Sequence, residues 1–188
     1  MARRFLASVL LVAAALLSVG PANAQRPSRA DPLYTQMRNG ALATSARDVG
    51  LAPGPGEIQV YGVVIDIDIS GQTATVLAFT SGDASIYLSS GGGTIGGIGR
   101  PPVAAAARAL VAAVSPAHLG AATRVTAFPR PNRGEANFYF LTTQGVHRAT
   151  RPIAALEAGT DAFSSLFAGG HAVISEFREA DAERPPGN

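Results

Sequence analysis

Cysteine and lysine are both absent from the 188 residues. Without cysteine there is no disulfide, no thiol nucleophile, no cysteinyl metal site and no residue to carry a lipoprotein anchor, so a domain of this size has to rest on its core rather than on covalent staples. Without lysine, a P-loop, a Schiff base and the S-x-x-K arrangement of serine enzymes are all excluded. Acidic residues are also missing from one long stretch: none occurs between Asp83 and Glu135, where Arg100, Arg108, Arg124, Arg130 and Arg133 all fall. The overall balance is nearly even, with 15 basic and 13 acidic residues and a net charge of +2. Arg3 and Arg4 supply that excess, so the remaining chain is formally neutral and overall charge gives no argument for a nucleic-acid partner.

Those two arginines begin an N-terminal pattern. They precede an uncharged, largely apolar run from Phe5 to Val19, and Ala22-Asn23-Ala24 supplies the small-x-small site at which a signal peptidase cuts. The run is shorter than the ~20 residues that cross a bilayer as a helix. The expectation is a signal peptide over residues 1–24 and a periplasmic or secreted protein, with no membrane attachment after cleavage. Residues 25–56 read as a leading helical segment and a Pro/Gly linker, 57–179 as one α+β domain and 180–188 as a disordered tail.

Within the leading segment Asp31-Pro32 offers a helix cap followed by a first-turn proline, and Leu33, Tyr34, Met37 and Ala41 recur at helical spacing. From about Glu57 the period changes to two. Val63, Ile65, Ile67 and Ile69 alternate with Val64, Asp66, Asp68 and Ser70, which predicts a half-buried strand whose two carboxylates face water or a partner. Ser70-Gly71 turns the chain into a second strand over 73–80, and Ser81-Gly82-Asp83 into a third over 85–89. Pro101-Pro102 opens a helix with Val103, Ala107, Leu110, Val111 and Val114 along one stripe, stopped at Ser115-Pro116. A strand is expected over 123–128 and a hairpin about Gln144-Gly145. A last helix, capped by Thr160 or Asp161, carries Phe163, Leu166, Phe167, Gly170, Ile174 and Phe177 on one face. Tight turns join consecutive strands, which requires antiparallel pairing. The class is therefore α+β: an antiparallel sheet of about five or six strands, a central helix after the third strand and a C-terminal helix packed on it. The order of elements is like that of profilin or roadblock folds, a likeness of shape that carries no activity.

The segments ALATSARDVGL, VYGVVIDI, TATVLAFTSGDASIYLSSGGGTIGG, NFYFLTTQGVHRAT and SSLFAGGHAVISEFR resemble a family of uncharacterised bacterial proteins. The resemblance covers residues 38–178, is most specific over 85–97 and implies no activity or ligand.

The least generic stretch runs from Ser81 to Arg100 and holds seven glycines. Gly91-x-Gly93-x-x-Gly96 between a strand and a helix has the spacing of a dinucleotide fingerprint, but the preceding strand belongs to an antiparallel meander and no acidic residue follows to bind a ribose. Two readings of the loop remain. Gly91, Gly92, Gly93, Thr94, Gly96 and Gly97 with Arg100 could form a cradle for a small anion at the helix entrance; alternatively, the glycines serve backbone geometry in a tight passage. Asp66 and Asp68 alone are too few oxygens for a calcium site. His118, His147 and His171 have no ligand spacing for zinc. Tyr87, Phe138 and Tyr139 with the arginines of 124–133 could suggest stacking on nucleic acid, but aromatic strand residues ordinarily pack in cores. No catalytic set, metal or cofactor is implied. The reading is a non-enzymatic exported module that binds a small ligand or a protein through the sheet face or the glycine loop; its alternative is an enzyme or binder acting on a small anion through residues 91–99 and Arg100.

Overall fold

The computed structural model describes residues 30–182 apart from Pro53 and Pro55. The expected signal segment lies outside the described residues. In chain order the elements are α1 (Pro32–Ala43), β1 (Val60–Ile69), β2 (Gln72–Phe79), β3 (Ala84–Leu88), β4 (Gly93–Thr94), a 3-10 turn (Gly97–Gly99), α2 (Pro101–Ala112), α3 (Pro116–Gly120), β5 (Thr123–Val125), β6 (Glu135–Thr142), β7 (Gly145–Pro152), α4 (Ile153–Glu157) and α5 (Ser164–Ala182). The class is α+β, and every strand pairing is antiparallel.

The sheet has seven strands in the order β4-β3-β2-β1-β6-β7-β5, not five or six. The additional strand comes from the glycine loop: Gly91, Gly92 and Gly93 take φ of 99°, 85° and 146°, values that L side chains resist, and so the chain doubles back. Thr94 and Gly93 then pair with Ile86 and Tyr87. The central helix α2 accordingly follows a fourth strand and a 3-10 turn, rather than the third strand directly. The strand expected over 123–128 stops at Val125. Beyond it Phe128 lies edge-on to Tyr139, with ring centroids 5.8 Å apart, and its carbonyl accepts from Arg38 Nη1 at 3.0 Å. At the C-terminus α5 runs to Ala182, three residues into the segment read as tail, and Asp181 pairs with Arg100 at 2.9 Å.

Two cores explain why β1 and β6 are almost wholly buried. Val63, Ile65 and Ile67 of β1 meet Phe138 and Phe140 of β6, Val103, Ala107 and Leu110 of α2, and Leu166, Val173 and Phe177 of α5 on one face. On the other face Val64, Leu77, Tyr139 and Leu141 are covered by Tyr34, Ala41 and Leu42 of α1 and by Ala46. The helix α1 begins as its sequence dictates, with Asp31 Oδ1 accepting from Leu33 N at 2.8 Å and Tyr34 N at 3.2 Å, and Pro32 in the first turn.

That second cover overturns the solvent-facing reading for Asp66. Asp66 is fully buried and Arg38 of α1 nearly so. Arg38 Nε donates to both Asp66 oxygens at 3.1 and 2.9 Å, and Nη2 donates to Oδ2 as well. Thr75 Oγ1 donates to Asp66 Oδ1, which spends its single proton, so Thr75 accepts the Tyr34 hydroxyl at 3.0 Å. A buried charge is tolerated only when paired and hydrogen-bonded, and here both partners are. Asp68 fastens two turns, accepting from Gly71 N at 2.9 Å and Gly134 N at 3.0 Å.

Candidate functional site

The first turn of α1, the strand β3 and the glycine loop enclose a cleft of about 240 Å³. Asp31, Leu33, Tyr34 and Met37 form one wall, Tyr87 the floor, and Gly92, Gly93 and Ile95 the other wall. Local bonding holds the walls apart. Asp31 N donates to Ser89 O at 2.9 Å, which ties the start of α1 to the end of β3, and Leu88 N donates to Gly92 O at 3.1 Å across the loop. A Cβ at Gly93 would stand 2.1 Å from the Ile86 carbonyl oxygen, so only glycine allows the loop to lie against β3 here. Leu33 and Ile95, which both line the cleft, are 61% and 60% exposed.

Both tyrosines stay neutral phenols at physiological pH. Burial raises the pKa of Tyr34, reinforced by the nearby Asp66 charge, and burial raises that of Tyr87. The Tyr34 hydroxyl is held by Thr75, so its ring is fixed before anything binds. Among the described residues, Asp31 is the only charged one that lines the cleft.

The residues proposed from sequence are only partly brought together. Gly92 and Gly93 line the cleft, and Gly91 borders it, with its Cβ position 3.7 Å from Asp31 Oδ2. Thr94 lies in β4. Gly96 takes φ 83° at the entry to the 3-10 turn, and Gly97 is packed beneath α2, where a Cβ would lie 2.9 Å from Ala84 Cβ, Ala84 N and Val103 Cγ1. Arg100 turns away from the loop: Nη1 meets Asp181 Oδ1 at 2.9 Å and its Cζ sits 5.2 Å from the Phe177 ring centroid. The entrance to α2 is also poor in donors. Pro101 and Pro102 have no N–H, and Arg100 N and Ala104 N donate to Gly97 O and Arg100 O.

Asp31, Leu33, Tyr34 and Met37 were not among the residues singled out for binding, and Tyr87 was weighed only for stacking on nucleic acid. The sequence does signal α1 as an amphipathic helix, but nothing local says that its first turn stands beside the glycine loop. Elsewhere, Phe138 and Tyr139 are fully buried and present no ring for stacking on a base. His118 caps α3 through Ser115 and meets Ala162 O at 3.1 Å. No group of three or more His, Cys, Asp or Glu placed to hold a metal ion occurs among the described residues, and none of their helices is long and apolar enough to cross a membrane.

A wider groove of about 490 Å³ lies between the start of β1 and the α2–α3 junction, lined in part by Ile58, Gln59, Thr80, Val111, Val114 and Leu119; no charged or aromatic side chain of the described residues lines it. The cleft beside the glycine loop is the better furnished of the two, with a mostly apolar lining and a few fixed polar groups. No family model matches the chain, and neither the curated proteins nor the solved structures include a match to it.

Proposed function

We propose that this protein is a non-catalytic binding module whose site is the cleft between α1 and the glycine loop, and that it works outside the cytoplasm, as the pattern of residues 1–24 implies. The observation that carries the reading is a mainly apolar cavity lined by two tyrosines, of which Tyr34 is held by Thr75, and rimmed by two exposed aliphatic side chains. Its volume of about 240 Å³ falls below the roughly 300–1,000 Å³ of sites for drug-sized ligands, which suits a fragment-sized molecule. The lining supports a binder rather than a catalyst. Among the described residues Asp31 is its only charged group and is already used as a helix cap, and none of them brings a hydroxyl nucleophile with a base or a pair of carboxylates to the space. The alternative, an anion site built on residues 91–99 and Arg100, finds its cation paired with α5 and its helix entrance short of N–H donors.

The test is a heteronuclear NMR titration with fragment-sized neutral, cationic and anionic compounds. Binding is expected to move the amide signals of Leu33, Met37, Tyr87, Gly92, Gly93 and Ile95 together. The double variant Leu33→Ser/Ile95→Ser, at exposed positions, should weaken that binding by about tenfold, equivalent to about 1.4 kcal/mol, while its melting temperature stays near that of the wild type. A library that leaves these amides unmoved, or that binds the variant equally well, would overturn the reading.

A further inference from the structure

We infer that the ligand of this cleft is an organic cation: a compact apolar body bearing one protonated amine or quaternary ammonium group. The inference rests on the cleft being the binding site and concerns the charge of what it takes. No arginine among the described residues lines the cleft, and the single charged group among them that does is the Asp31 carboxylate. Its two oxygens differ in what they have left to give. Oδ1 accepts from Leu33 N at 2.8 Å and Tyr34 N at 3.2 Å, whereas Oδ2 accepts no hydrogen bond from the described residues and lies on the side of Gly91.

The obvious objection is that a helix N-terminus attracts anions. Here its donors are absent or already used. Pro32 has no N–H, Leu33 and Tyr34 give theirs to Asp31 Oδ1, and Thr35 N donates to Asp31 O at 3.0 Å. What remains to greet a ligand is a carboxylate oxygen and the rings of Tyr34 and Tyr87, and both attract positive charge, the rings through their quadrupole. The aliphatic groups of Leu33, Met37 and Ile95 then cover the apolar body.

Three compounds with one ring skeleton isolate the charge: cyclohexylamine, cyclohexanol and cyclohexanecarboxylate, titrated at neutral pH against the wild type and Asp31→Asn. Asparagine caps a helix as well as aspartate does, so the variant keeps Oδ1 and loses only the charge. The wild type should bind the amine at least about tenfold more tightly than the alcohol, with the carboxylate weakest. Asp31→Asn should bind amine and alcohol alike, with an unchanged melting temperature. If Asp31→Asn fails to fold, Asp31→Ser, also a good cap, takes its place, and the wild-type comparison needs no variant. Equal binding of amine and alcohol by the wild type, at the cleft amides, would overturn the charge assignment while leaving the cleft as the site. A preference for the amine that survives in Asp31→Asn would overturn it as well. Failure of all three compounds to move the cleft amides would overturn the site and the charge assignment together.

Discussion

At the scale of single residues, Arg38 and Asp66 carry the most consequence for stability. Burial disfavours the Arg38 charge, yet the hydrogen bonds and charge of Asp66 outweigh that and its pKa is raised, so the cation is permanent. Removing one partner leaves the other charged, buried and unanswered. Arg38→Met or Asp66→Leu alone should therefore cost about 3–5 kcal/mol, read as a shift of the denaturant midpoint at constant slope. The double variant Arg38→Met/Asp66→Leu should cost clearly less than the two single changes together, since no stranded charge remains. Full additivity in that cycle would mean that the pair is not coupled. The alternation through β1 made Asp66 visible as a polar residue in an apolar strand, but a carboxylate in that position is compatible both with water and with a buried guanidinium. Only the arrival of α1, whose Arg38 lies 28 residues earlier, distinguishes them.

At the scale of elements, the passage from β3 to α2 shows what the glycines do. Gly91–Gly93 fold the chain into β4, and Gly97 lets the 3-10 turn slide between Ala84 and Val103. A side chain there has no room, because two of the three nearest atoms belong to the backbone or Cβ of Ala84 and cannot swing aside. Gly97→Val is expected to destabilise the protein by about 1–3 kcal/mol through overpacking. Arg100→Ala removes a partly exposed ion pair and a ring contact and should cost only about 1 kcal/mol or less, and neither variant should show a phosphate- or sulfate-dependent rise in melting temperature that the other lacks. An anion response in the wild type that disappears with Arg100→Ala would restore the cradle. The glycine spacing was plain in the sequence; the direction of Arg100 was not, because its partner Asp181 arrives at the end of α5, from the far end of the chain.

At the scale of the whole molecule, the missing residue types make one titration unusually clean. With neither lysine nor cysteine, the side chains that titrate between neutral pH and the arginines are the four tyrosines, Tyr34, Tyr61, Tyr87 and Tyr139. All four have pKa values raised above 10.0, in each case chiefly by burial. A phenol whose folded pKa is raised holds its proton longer in the folded state, so the unfolded chain binds fewer protons above pH ~10 and stability falls. The contribution is complete below pH ~10 and is lost as pH rises through the folded values. Melting temperature should thus decline steadily above that point, and the phenolate absorbance should appear together with unfolding rather than before it. Phenolate formation at pH ~10 with the fold intact would contradict the buried environment of these rings.

Local chemistry was enough to place most of the elements, though not β4 or the end of β5. Period-two alternation marks β1, Asp31-Pro32 starts α1, Pro101-Pro102 starts α2, and the absence of cysteine and lysine removes whole classes of mechanism, because each depends on residues within a few positions of one another or on a simple count. Tertiary structure decided what covers what. It set α1 over the second face of the sheet, buried Asp66 against Arg38, turned Arg100 toward α5 and brought Tyr34 beside Tyr87 and the glycine loop to make a cleft. The physical reason is that a periodic pattern records which face of an element is apolar but not which distant element will meet it, and Tyr34, Asp66 and Arg100 each find a partner that the chain supplies from far along its length.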